Sequence, residues 1–472
     1  MFKKNIFAAS VLFVLVFSAM TAVCFADTPA QLKSQARNLM KARNYEQAEA
    51  IYKDIVRDYP GTEYDFLARK NLVLIYIIKE RYDQAQEVLD KLIGDFSNNM
   101  ELPEALYDIA KRYERSGKYE KAKSIFERII RQCPDSSKVK GAQDHIRKID
   151  VLSLIRSRDY TAAQQAVDKL VKDYSGNRSL PGILYDIANG YRASGRYEEA
   201  KGIYGDIVTK YPDIEEASGA EEMLVSIYVS LEGDGGVPRA LEGLSRDYSG
   251  SSSFPAMLYI IAGRSGSEAA KNIYRTIARD YPGTEPAFKA QSALALRCIA
   301  SGEYAEADSI LDRLLKDYPG HSGLQEAVTR IAEQYYIEAF RMEGEGLAGQ
   351  AKDNFQKAAG LWQMAIDKLP TDPYTMPNTC SWAGDCYNRL GEYAKSIACY
   401  QKVADDYPEH NLAWNALFMV GRNYENMKES GLISASEADS RIRSAYLQLV
   451  ERYPTCYAAK IANRWLNGDN SE

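Results

Sequence analysis

YEQAEAIYKDIVRDYP, running from Tyr45 to Pro60, decides how this chain of 472 residues folds. Tyr45, Ala48, Tyr52, Ile55 and Tyr59 step by three and four, so they share one stripe of a helix. The charged residues Glu46, Lys53, Asp54 and Arg57 fall off that stripe. Ala48 is small where two helices must approach closely. Pro60 ends the helix, because its ring cannot continue the turn and restricts the backbone of Tyr59. The stretch then recurs: YEKAKSIFERIIRQCP (Tyr119–Pro134), YEEAKGIYGDIVTKYP (Tyr197–Pro212), YAEADSILDRLLKDYP (Tyr304–Pro319) and YAKSIACYQKVADDYP (Tyr393–Pro408). Weaker copies start at Tyr82, Tyr160, Ser267 and Phe355. A short one ends in LEGLSRDYS (Leu241–Ser249) and the last is AYLQLVERYP (Ala445–Pro454), which makes eleven copies.

A second helix precedes each copy. In LYDIAKRYERSGKY (Leu106–Tyr119) its stripe is Leu106, Ile109, Ala110 and Tyr113, and Ser116-Gly117-Lys118 supplies the turn. LYDIANGYRASGRY (Leu184–Tyr197) follows the same plan with Gly195 in the turn, and Gly302 and Gly391 sit likewise. Each unit is helix, glycine turn, helix, Tyr-Pro. No segment alternates as a strand would. LPEALYDIA (Leu102–Ala110), LPGILYDIA (Leu180–Ala188) and FPAMLYIIA (Phe254–Ala262) are three versions of one helix start, so a two-unit block has been copied along the N-terminal half. Each opens with proline in the first turn, where its missing N–H costs least. The third version, followed by GRSGSEAAKNIY (Gly263–Tyr274), lacks about one helical turn.

Leu106, Ile109, Ala110, Tyr113, Gly117, Tyr119, Ala122, Phe126, Ile129 and Pro134 carry a resemblance to the tetratricopeptide repeat (TPR) family. Leu184, Ile187, Ala188, Tyr191, Gly195, Tyr197, Ala200, Tyr204, Ile207 and Pro212 carry it again. It implies an all-α fold, an α-α superhelix or TPR solenoid of about eleven helical hairpins with a capping helix, CYAAKIANRWL (Cys456–Leu466). The family's usual period is about thirty-four residues, whereas Tyr45, Tyr82 and Tyr119 are thirty-seven apart. The surplus follows the proline, as in DYPGTEYDFLARKNL (Asp58–Leu72) and DYPGTEPAFKAQSAL (Asp280–Leu294). That style is similar to bacterial envelope TPR proteins, which include the TPR lipoprotein of the outer-membrane barrel-assembly machine and the Tol-Pal coordinator.

Residues 1–26 read as a targeting segment: Lys3 and Lys4 give a positive start, and Ile6 to Val23 is almost wholly apolar. Cleavage is expected after Ala26, leaving a periplasmic chain. Lipidation at Cys24, giving an outer-membrane lipoprotein, and retention as an uncleaved anchor stand as alternatives, although Val23 suits a lipobox poorly. Losing Lys3 and Lys4 takes the net charge from −6 to −8. No basic stripe remains for nucleic acid, and no apolar run after Ala26 approaches membrane-spanning length. The remainder divides into an N-terminal array over 27–338, a C-terminal array with insertions and capping helix over 339–468, and a tail over 469–472. The insertions are RMEGEGLAGQAKDN (341–354) and NMKESGLISASEADSR (426–441). They read as longer helix pairs with mobile loops, or as docking sites.

Chemistry is sparse. His145, His321 and His410 lie near turns without a ligand partner at helical spacing, so they read as solvated surface histidines. Gly344, Gly346 and Gly349 match GxGxxG but follow a helix rather than a strand, which removes the phosphate-cradling context. No catalytic motif, metal site or cofactor is expected, and the chain does not read as an enzyme. Six cysteines remain after cleavage; Cys380 and Cys399 face a disulfide reading, with buried free thiols favoured.

Function is therefore sought on the first helices, which line a groove in the TPR family. The resemblance places Tyr107, Lys111, Glu114, Tyr185, Asn189, Arg192 and Tyr259 there. Aromatic platforms flanked by amides and cations suit an extended peptide or helix; alternatively, the tyrosines pack between hairpins. The expectation is an envelope scaffold binding protein or peptide partners along the groove, in outer-membrane assembly, division or secretion. The alternative is a structural, self-associating envelope component.

Overall fold

The computed structural model describes residues 28–231, 236–369 and 373–468. The expected targeting segment, Cys24 and the 469–472 tail lie outside the described residues. Those residues form twenty-three helices and no strand. In chain order the first hairpins are α1–α2 (Pro29–Lys41, Tyr45–Asp58), α3–α4 (Glu63–Ile78, Tyr82–Asp95), α5–α6 (Leu102–Arg115, Tyr119–Gln132) and α7–α8 (Lys138–Arg156, Tyr160–Asp173). Next come α9–α10 (Leu180–Ala193, Tyr197–Lys210), α11–α12 (Glu215–Leu231, Gly236–Tyr248), α13–α14 (Phe254–Gly263, Ser267–Asp280) and α15–α16 (Glu285–Ala300, Tyr304–Asp317). The last are α17–α18 (Leu324–Gly344, Ala348–Lys368), α19–α20 (Met376–Arg389, Tyr393–Asp406) and α21–α22 (Ala413–Glu429, Ala435–Arg452), closed by α23 (Tyr457–Leu466).

The repeated stripes are the core. Ala48, Tyr52 and Ile55 are at most 3% exposed, and Leu106, Ile109, Ala110 and Tyr113 at most 1%. Each large apolar side chain buried this way contributes roughly 1.5–3 kcal/mol before entropy is counted. The Tyr-Pro ending works through the backbone. Tyr59, Tyr281, Tyr407 and Tyr453 cap their helices at φ of −130°, −129°, −132° and −132° with ψ of 49°, 47°, 51° and 56°. That conformation is outside the helical region, as the following proline demands. Within hairpins the chain turns through one left-handed residue: Gly117, Gly195, Gly302 and Gly391 do so, but so do Arg43, Glu80 and Arg158.

Between hairpins the orphan N–H groups of the next helix need acceptors. Thr62 and Thr284 accept from the backbone of Asp65 and Ala287. At six other junctions the acceptor is two residues upstream of the N–H it takes: Asn99, Ser136, Asn177, Ser251, His321 and His410.

The chain divides into two compact units at Ile207/Val208, inside α10. The division expected at 338/339 falls within α17, a continuous helix of 21 residues. In unit 1 the first helices α1, α3, α5, α7 and α9 touch in succession; in unit 2 α11, α13, α15 and α17 do the same. The two insertions are longer helix pairs, one of the two readings of the sequence, and the link within each pair is a tight turn. Residues 341–354 lie mostly in helix, with α17 and α18 each 21 residues long around a tight turn at Gly346. Residues 426–441 likewise lengthen α21 and α22 to 17 and 18 residues around Gly431. Helix α13 has 10 residues against 14 in α5 and α9, so the third block is one turn short. Helix α23 seals the end: Ala458, Ala459 and Ala462 are buried, and Trp465 stands edge-on to Tyr446 at 5.6 Å.

Candidate functional site

In unit 1 the expected groove residues are mostly committed to packing. Tyr107 on α5 stands edge-on to Phe126 (5.6 Å) and His145 (5.4 Å), with the ammonium groups of Lys111 and Lys138 each 5.5 Å from its ring centre. It thereby joins its own hairpin to α7, and burial pushes its phenol above the ordinary value. Glu114 lies 2.6 Å from His145 Nδ1 and accepts from Lys148 Nζ at 2.6 Å; Lys148 reaches on to Asp186 at 2.6 Å. One charge network therefore runs α5–α7–α9. Burial opposes ionisation of Glu114, but His145 and Lys148 outweigh it and hold the carboxyl below its usual range. Burial opposes the Lys148 charge too, and Glu114 and Asp186 outweigh it, so its pKa is raised.

On α9, Tyr185 stands edge-on to Tyr204 at 5.7 Å. Tyr204 donates to Asn189 Oδ1 at 2.9 Å, and the Asn189 amide donates to the Tyr185 carbonyl at 3.0 Å. Arg192 is exposed and opposes, beside Tyr204, the burial that pushes that phenol up to about 12. The sequence-derived set is thus split. Tyr107 packs its ring against α6 and α7, Glu114 is held by His145 and Lys148 of α7, and Asn189 bonds Tyr204 of α10 and its own helix, while Arg192 is exposed beside Tyr204.

Tyr259, the seventh, opens onto a cleft of about 310 Å³ in unit 2. Three successive first helices, α13, α15 and α17, line it together with the junction before α17. Phe288 and His321 stack at 3.7 Å and 21° to form one wall. His321 Nε2 lies 2.7 Å from Glu285 Oε2, and Nδ1 accepts the Gly323 N–H at 3.0 Å. Glu285 also pairs with Lys289 at 3.3 Å, and Glu326 and Arg330 are exposed on α17. The cleft offers an aromatic wall beside both signs of charge, which fits an apolar side chain flanked by polar ones. Glu285, Phe288, His321 and Arg330 are absent from the sequence-derived set. The offset that selects Tyr107 and Tyr185 lands on Ser292 in α15, which does line the cleft.

The histidines depart from the solvated expectation. His145 stacks on Phe126 at 4.8 Å and His321 on Phe288, each against a glutamate, because both sit where one hairpin meets the next. His410 accepts the Leu412 N–H at 3.3 Å.

Cys298, Glu303 and Glu306 bring three potential ligand atoms within 4.8 Å of one another. Lys271 holds Glu303 at 2.7 Å and Arg275 holds both oxygens of Glu306 at 2.8 and 2.9 Å. Burial pushes the Cys298 thiol up to about 12. A protonated thiol and two cation-held carboxylates fit a closed ion-pair cluster better than a cation site. Cys380 and Cys399 are both free thiols, pushed by burial up to about 11 and about 12.

Models of the tetratricopeptide repeat match residues 34–99, 103–142, 183–213, 289–321 and 382–410. The chain carries tetratricopeptide repeats. These repeats typically form non-catalytic scaffolds for protein–protein interaction. No curated protein matches the chain. Among solved structures it is similar to Naa15/Naa10 bound to HypK-THB, at 14% identity over 94% of this chain and 66% of that one, TM-score 0.26. The P58(IPK) TPR domain is similar at 14% over 85% and 99%, TM-score 0.22. The C-terminal part of a TPR repeat-containing protein of Cytophaga hutchinsonii is similar at 15% over 57% and 99%, TM-score 0.32.

Proposed function

We propose that the chain is an exported scaffold of the bacterial envelope that holds a protein partner against its first helices. The observation that carries this reading is the unit 2 cleft, where α13, α15 and α17 present Tyr259, the Phe288–His321 wall and Arg330 side by side. An extended segment crossing three helices could set one side chain in the cleft and its backbone along the rim. The positive start and apolar run of residues 1–26 support export. The YPGT style of Asp58–Leu72 and Asp280–Leu294 supports a place among envelope repeat proteins in outer-membrane assembly, division or secretion.

The test is quantitative capture from envelope extracts with Tyr259→Ala/Arg330→Ala, using Arg313→Ala on the exposed side of α16 as control. Circular dichroism confirms that the helices persist. The reading predicts that wild type and the control capture one defined set and that the cleft variant loses it. Equal capture by all three would overturn the cleft assignment. Capture of the chain by itself alone would favour a self-associating component. Mass analysis of the mature N-terminus tests export: a chain starting at Asp27 supports it, and an intact Met1 in the cytoplasm contradicts it.

A further inference from the structure

We infer that His321 is a proton-operated latch on this cleft, uncapping the start of α17 when it is protonated; this deepens the cleft reading and rests on it only for its consequence. Asn99, Ser136, Asn177 and Ser251 each accept an N–H two residues ahead, and none of these acceptors titrates in the physiological range. His321 does the same work with an imidazole, whose Nδ1 accepts the Gly323 N–H at 3.0 Å. Gly323 is the N-cap residue of α17, and no side chain caps that helix from its own N-cap position.

Accepting at Nδ1 requires a bare nitrogen there, which fixes the neutral tautomer with its proton on Nε2, facing Glu285 at 2.7 Å. Protonation can then occur only at Nδ1. The imidazolium keeps its bond to Glu285 but turns a donor toward a donor at Gly323. The charged and polar surroundings are Glu285 and Lys289 from α15, the Tyr318 ring at the end of α16, and Glu326 and Arg330 from α17. Space makes the junction sensitive: a Cβ on Gly323 would lie 3.1 Å from the Phe288 ring and 3.3 Å from His321 Nδ1. A ring displaced toward Glu285 leaves Phe288, and the cleft loses its wall next to Arg330.

The experiment uses the folded full chain without ligand, so it is independent of whether any partner binds. Hydrogen exchange at the Gly323 amide is followed between pH 7.5 and 5.5, corrected for intrinsic exchange, in wild type and His321→Asn. Asn is the residue that serves at the Asn99 and Asn177 junctions. The expected result is a marked rise in Gly323 opening as the pH falls in wild type and a flat profile in His321→Asn. A flat wild-type profile, or the same rise in the Asn variant, would overturn the latch. If the latch stands and partner capture is unchanged by pH, the cleft reading fails by itself.

Discussion

Lys148 shows what a single side chain does here. It is 9% exposed and joins Glu114 to Asp186 across three first helices. Removing it leaves a buried carboxylate with one partner fewer, so Lys148→Ala is expected to lower unfolding free energy by about 3 kcal/mol, read from urea midpoints at constant m. The sign with pH follows from the shifts. Glu114 is held below 4.5, so its share is present above that value and is lost as pH falls. Lys148 is raised above 10.5, so its share is present below that value and is lost as pH rises. Stability should therefore fall below about pH 4.5 in wild type, and fall less in Glu114→Gln. Turn residues give a second case. Arg158 holds φ of 65°, where a glycine would be unstrained; Arg158→Gly is expected to gain roughly 1 kcal/mol by denaturant titration. Gly302→Ala, with open space around its Cβ, should lose about as much. Helical spacing made the core stripe legible down to Tyr113 and Ile109. It did not show which groove-side atoms were already taken, since Glu114 and Lys148 are 34 residues apart and meet only once hairpins stack.

Helices meet where small residues allow it. Gly421 on α21 faces the Tyr446 ring of α22, and a Cβ there would collide with it. Gly421→Ala is expected to cost about 1–3 kcal/mol through overpacking, measured as a lowered thermal midpoint with helical circular dichroism retained below it. The hairpin α17–α18 is longer than its neighbours, and Arg389 ties it to α19 by lying 4.2 Å above Phe340 and pairing with Glu343 at 3.3 Å. Residues 341–354 read as an insertion because their glycines interrupt the stripe. Only Gly346 turns the chain, and helical hydrogen bonding absorbs the others. Helix existence and hairpin order were legible because the Tyr-Pro stops recur. The longer pair was among the readings, but the tightness of its link was not legible, because a glycine within a helix and a glycine at its tip look alike in sequence.

Along the chain, repetition carries structure, and one of its lapses coincides with the cleft. Lys70 pairs with Asp108 at 2.5 Å and Lys148 with Asp186 at 2.6 Å, the same bond copied one block later. In the third block Ile260 stands where Asp108 and Asp186 stood, and the cleft opens beside it at Tyr259. Photocrosslinking from single positions during growth would compare an unnatural side chain at Arg330, on the cleft, with one at Arg313, on α16. The account predicts one discrete partner adduct at Arg330 and none at Arg313. Adducts from Arg313 alone, or identical adducts from both, would contradict it.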